Sequence, residues 1–191
     1  MKHPSSRELF QYWTALRGHR PAPERDEVDP GALRKVLGDS FVLTYDSRNG
    51  HPFRLAGTRL CGLFCRELKG ASFLDLWDGA SRPMAESLVE GVADEVSGMV
   101  VGVLAETATE PPLPLELLLL PLAHRMSVHA RMIGVLAPLQ TPYWIGIEPV
   151  QRLGLGTFRN LSPRIAPSLV PTIPERRGRP ALVVLEGGRT D

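Results

Sequence analysis

The sequence predicts an α+β fold: a five-stranded antiparallel sheet with short helices inserted after its second strand, preceded by an N-terminal helix. Three observations predict it. Apolar residues recur first at helical spacing, then in strand-like runs, then at helical spacing again, and finally in three extended segments. Ser47-Arg48-Asn49-Gly50 separates two β-branched and aromatic runs, as a hairpin turn does. Gly and Pro contribute 18 residues each to 191, well above the usual ~12 % together. That excess favours short elements and many turns over a helical bundle.

The elements follow in order. Ser5/Ser6 to Leu16 reads as a helix that Ser6 can cap, with Leu9, Phe10, Trp13 and Leu16 on one apolar face. Asp29-Pro30 opens a second short helix, with Leu33, Val36 and Leu37 inward and Gly38 as its stop. Ser40 to Asp46 and Pro52 to Ala56 form the hairpin strands. Thr58 can cap a short helix carrying Leu60, Leu63 and Phe64, and Ser72 a second piece with Phe73, Leu74, Leu76 and Trp77. Ser81-Arg82-Pro83 starts a longer helix through about Val96. Met99 to Ala108, Leu113 to Ala123 and Arg131 to Leu139 complete the sheet as a meander, with the polar stretch His124 to Ala130 between the last two. The leucine run reads as buried on both faces. The expected organisation is a helical flank over 1–38, a sheet domain over 39–147 and a Pro/Arg-rich tail over 148–191. No strand or helix period spans that tail, although Ala181 to Leu185 would suit one local strand or strand addition to a partner.

Composition excludes several classes. Lys and Arg (22) nearly cancel Asp and Glu (21), so charge gives no reason to expect a nucleic-acid partner. Two cysteines suffice neither for a disulfide-stapled scaffold nor for a closed zinc site, and His124 and His129 lack the acidic or thiol partners a metal would need. The first residues have no apolar signal-peptide core, and Leu113 to Ala123 is far shorter than the ~20 residues of a membrane helix. A cytoplasmic protein without a membrane partner is expected. Neither a nucleophile elbow nor a phosphate loop occurs, so no catalytic residue is assigned and an enzyme is not expected.

The run Phe53-Arg54-Leu55-Ala56-Gly57-Thr58-Arg59-Leu60-Cys61 leads into Phe64-Cys65-Arg66-Glu67-Leu68-Lys69-Gly70 and Ser72-Phe73-Leu74-Asp75-Leu76-Trp77. Later come Leu115 to Pro121 and Ile133-Gly134-Val135-Leu136-Ala137. With Tyr12 to Arg17 before them and Pro142-Tyr143-Trp144 after, these segments resemble a bacterial family of small stand-alone PAS-domain proteins over residues 5–147. The resemblance implies a PAS-like fold and a sensory or protein-interaction domain that dimerises through its outer sheet face or N-terminal helix. It implies no activity, since PAS-like folds hold haem, flavin, small acids or nothing.

Residues 64–70 echo the cysteine motif of flavin-binding light sensors of this superfamily. Flavin recognition there also needs Asn and Gln on the later strands. Asn occurs here only at 49 and 160, and Leu136 stands where the glutamine would follow Ile133-Gly134-Val135. Haem-binding relatives use a histidine on the inserted helices, and no His lies between 52 and 123. No cofactor is therefore expected. Arg54, Arg59 and Arg66 cluster at the start of the inserted helices, where a guanidinium would suit a carboxylate or phosphate. Against that stands a surface Arg, or a structural pair with Glu67 or Asp75. The candidate cavity ligand site is Arg59 as anchor, with Phe73, Trp77, Leu88 and Val92 as walls. Phe10, Trp13 and Leu16 are the candidate interface, with packing on the chain's own sheet as the alternative. The expected function is a non-catalytic signalling module, homodimeric, working through a separate protein partner and gated by a small cavity ligand. The rival is a dedicated carboxylate- or phosphate-binding protein. A well-formed pocket reached by Arg59 favours the binder, and a filled cavity with an exposed apolar sheet face or helix favours the module.

Overall fold

The computed structural model describes residues 1–124 and 127–161. Pro4–Arg17 form helix α1, Ser40–Thr44 and Phe53–Ala56 strands β1 and β2, and Thr58–Leu63 and Arg82–Asp94 helices α2 and α3. Gly98–Glu106, Leu113–His124, Ser127–Pro138 and Arg152–Leu161 form strands β3 to β6. The six strands make one antiparallel sheet in the order β2-β1-β5-β4-β3-β6.

The sheet separates two apolar layers because its strands alternate. Leu115, Leu117 and Leu119 of β4 face one side, with Met99, Val101 and Val103 of β3, and pack under α2, α3 and the Leu74–Leu76 turn. Leu118, Leu120 and Leu122 face the other side with Ile133 and Val135, under Leu9 and Trp13 of α1. The leucine run is thus buried on both faces, as its sequence predicts. At the inner face Gly134 leaves room for Phe41. A Cβ there would sit 2.3 Å from the ring and 2.5 Å from the Leu118 carbonyl oxygen.

Several expectations change. The sheet has six strands, not five, because Arg152–Leu161 pairs along the whole of β3. This strand begins in the expected tail. It is hard to read because Gly154 and Gly156 interrupt its apolar alternation and a bulge lies opposite Val101 to Val103. Residues 162–191, with Ala181 to Leu185, lie outside the described residues. The α1 start lies earlier than Ser6: Pro4 takes the first turn, the His3 Nδ1 accepts from the Ser5 amide, and Ser6 is buried. Asp29 accepts from the amides of Gly31 and Ala32 as a cap would, but residues 30–36 form successive turns. Their bonds mostly span three residues, and Gly31 and Gly38 leave too little chain between them for a stable α-helix.

Gly57, rather than Thr58, occupies the cap position of α2, since a side chain there would lie 2.0 Å from the Leu37 carbonyl oxygen. Ser81 takes the N-cap position of α3, as the sequence leads one to expect, but its hydroxyl bonds no helix amide; it accepts from the Leu155 amide and ties the helix to β6. The hairpin connection is longer than an Asn-Gly turn: a 3₁₀ turn at Ser47–Asn49 precedes Gly50 and His51, both at positive φ. Finally, β4 and β5 run further than expected, with His124 paired to Ser127.

Candidate functional site

The predicted cavity walls meet, but as packed core. Phe73, Trp77, Leu88 and Val92 belong to one cluster, and none is more than 5 % exposed. Phe73 sits at the centre of an aromatic group, 6.0 Å from Phe41, 5.9 Å from Phe53 and 5.7 Å from Trp77 between ring centroids. Two of these contacts are edge-on, the arrangement in which ring quadrupoles attract. The Trp77 indole N–H is buried without an acceptor among the described residues. At the hairpin end, His51 is fully buried and stacks on Tyr45 at 5.2 Å. Its Nδ1 accepts from the Asp46 amide, and its Nε2 is buried without a partner among the described residues. Burial lowers the His51 pKa against the opposing pull of Glu86 and Asp46.

Arg59 is not brought to these walls. It leaves α2 toward the N-terminal segment and forms a two-bond pair with Asp39, Nε to Oδ1 and Nη2 to Oδ2, both 2.7 Å. The same Oδ2 accepts from the Ser5 hydroxyl at 2.7 Å, and the guanidinium also donates to the Lys35 carbonyl at 3.3 Å. Burial alone would raise the Asp39 pKa; hydrogen bonds from Arg59 and Ser5 outweigh it and hold the carboxyl below its ordinary value. The pair raises the pKa of Arg59 in turn. His3, Ser5, Asp39, Arg59, Pro138, Thr141 and Ile145 line a groove of about 310 Å³. The arrangement joins α1 to α2 through one carboxylate. It leaves Arg59 with little free charge for a ligand.

The partner of Arg59 is neither Glu67 nor Asp75. Asp75 pairs with Arg82 at 2.7 Å. Asp39 lies 20 residues upstream in a turn, and no local spacing advertises it. Arg54 is exposed on β2, and Arg66 is exposed beyond α2. Cys65 is solvent-exposed at a positive φ, while Leu60, Leu63 and Leu68 take the inward positions. Among the described residues no three His, Cys, Asp or Glu side chains group as metal ligands, and no helix is long and apolar enough to cross a membrane. The side chains of His124 and His129 lie outside the description.

Of the candidate interface, Trp13 is committed to its own sheet: it is 4 % exposed, and its indole donates to the Pro121 carbonyl at 2.8 Å. Phe10 and Leu16 are half-buried at the helix margins. The apolar side chains most open to solvent lie elsewhere. They include Tyr143 (81 %) and Ile147 (77 %) on the loop after β5, and Phe158 and Leu104 at the β6 end of the sheet. Sequence reading misses Tyr143, Ile147 and Phe158 because the loop and β6 carry no period that sets one face apart.

A family model of the PAS domain matches residues 1–137. No curated protein matches the chain. Among solved structures it is similar to a Rhodobacter sphaeroides LOV protein, with 16 % identity over 61 % of this chain and 71 % of that one, at a TM-score of 0.44. It is also similar to an RNA-binding light-oxygen-voltage receptor, with 16 % identity over 58 % of this chain but 32 % of that one, at a TM-score of 0.42.

Proposed function

Since the chain belongs to the PAS-domain family, with the sensory signalling role that membership carries, we propose that it is non-catalytic and acts through protein–protein contact, with a second copy and a separate signalling protein as its partners. One observation carries this reading. The interior is packed with Phe41, Phe53, Phe73 and Trp77, while Tyr143 and Ile147 stand more than three-quarters exposed on one loop. Exposed large apolar side chains favour association. The Ser5–Asp39–Arg59 chain supports a role in relay, because a shift of α2 would be felt at α1 through one shared carboxylate.

Native mass spectrometry of the freshly purified protein, followed by its denatured mass, tests the reading. A dimer at twice the bare chain mass is expected, and Tyr143→Asp with Ile147→Asp should lower capture of its protein partner at least tenfold. A mass excess per chain that disappears on denaturation would instead support the dedicated small-molecule binder.

A further inference from the structure

We propose that the outer face of the sheet carries a binding groove for a small phosphate-class dianion with a short apolar group, formed by Arg25, Arg54 and Arg131. This goes beyond the protein-contact reading and does not depend on it. The three arginines come from separate segments: the Arg25–Glu27 turn after α1, strand β2 and strand β5. Their meeting depends on a register shift. Val42 pairs with Leu55 while the next residue, Leu43, pairs with Phe53, so Arg54 is the extra residue of a bulge. Bulges re-aim side chains. Here the bulge places Leu55 beside Val42 on the outer face, with Arg54 lining the same groove of about 270 Å³.

The charge in that groove is uncompensated. Arg20, Arg59 and Arg82 each have a carboxylate within 2.9 Å, whereas among the described residues none of Arg25, Arg54 and Arg131 has an ion-pair partner. Asp26 is the one carboxylate in the groove lining, against three guanidinium groups. Arg131 is half-buried and held in place by the Thr44 hydroxyl. Burial, then the charges of Arg54 and Arg25, lowers its pKa. Like charges gathered without a counter-charge cost stability, and a planar guanidinium fork matches phosphoryl oxygens two at a time. An oxyanion of two charges would neutralise the excess that Asp26 leaves.

The apolar part of the ligand follows from the neighbouring crevice. A more enclosed space of about 50 Å³ shares Arg25, Val42 and Leu55 with the groove and continues between Leu33, Leu37 and Ile133. It has room for a few carbons. The two spaces together suit a charged head with a short hydrocarbon attached.

The test is titration calorimetry at pH 8 with inorganic phosphate, pyrophosphate and n-butyl phosphate, against sodium chloride of equal ionic strength. Saturable one-site binding is expected, with n-butyl phosphate at least threefold tighter than inorganic phosphate. Arg54→Gln, at an exposed position, should weaken binding at least tenfold while melting like the parent, and Arg131→Gln should weaken binding as much. Arg152→Gln, on β6, should leave binding unchanged. Heats that match the chloride control, or parental affinity in Arg54→Gln, would overturn the site. Equal affinity for phosphate and n-butyl phosphate would overturn its apolar half.

Discussion

At the residue scale, His51 and Asp39 should respond to acid in separate pH ranges. His51 is buried neutral, with its pKa lowered in the fold. Between the folded value and the unfolded value of ~6.5, the unfolded chain binds a proton that the folded chain does not. Stability should therefore fall as pH drops through ~6.5, with Glu86 and Asp46 softening the effect. Thermal melts from pH 8 to 5 should show the decline, and His51→Asn should flatten it, since Asn tolerates the positive φ. Asp39 has the opposite kind of group but the same sign: its carboxyl pKa is lowered, so its contribution is present above ~3.8 and lost below. The Asp39 side chain is 6 % exposed and that of Arg59 is 54 % exposed. Removing the arginine leaves a carboxylate buried; removing the acid leaves a guanidinium that can turn to water. Arg59→Ala should thus cost about 1–3 kcal/mol, and more than Asp39→Asn, in chemical denaturation. Equal losses would mean the pair is no more than a surface contact.

At the element scale, β6 is where sequence and structure part. The helices and the first five strands were legible because periodicity and turn residues mark them: the unbroken leucine run of Leu113 to Leu122 and the Ser47–Gly50 turn follow from local pattern, whereas Met84, whose spacing on α3 reads as inward with Leu88, Val89 and Val92, is 46 % exposed. Strand β6 has two glycines, exposed charges and a bulge, and forms because β3 offers it an open edge rather than because its own residues insist. The Arg59–Asp39 pair and the three-arginine groove escaped for a related reason. Each joins residues far apart in the chain, and the second needs a register shift that no residue pattern announces. If β6 is part of the core, its two kinds of position should respond differently. Leu153 is fully buried, so Leu153→Ala should cost about 2–5 kcal/mol. Phe158 is 52 % exposed, and Phe158→Ser should change stability by less than about 0.5 kcal/mol. Urea unfolding of both variants makes the comparison, and a neutral Leu153→Ala would show β6 to be a loosely held appendage.

At the scale of the whole molecule, one sheet serves two cores, and neither face is stable bare. The inner layer is closed by α2, α3 and the aromatic group; the outer layer is closed by α1 and the turns after it. Helix α1 is fastened at both ends. Glu116, on the outer face of β4, accepts from the Lys2 and His3 amides near its start, and Trp13 bonds to Pro121 near its end, with the Arg17 guanidinium 5.0 Å above the indole. An N-terminal helix held this way is structural, whereas its sequence reads as a helical flank whose aromatic stripe serves either its own sheet or a partner. The two descriptions differ in how the protein unfolds. If α1 were a flank, Trp13→Ala would release it in a separate low-temperature step and leave the sheet's own melting temperature in place. With Leu118, Leu120, Ile133 and Val135 packed under the helix, exposing that face instead removes support from strands shared with the inner core. Trp13→Ala should therefore lower one cooperative transition by about 3–5 kcal/mol, the usual range for a buried Trp truncation. Circular dichroism at 222 nm and tryptophan fluorescence from Trp77 and Trp144, both in the inner core, should report the same midpoint. Divergent midpoints would show that the two layers fold independently.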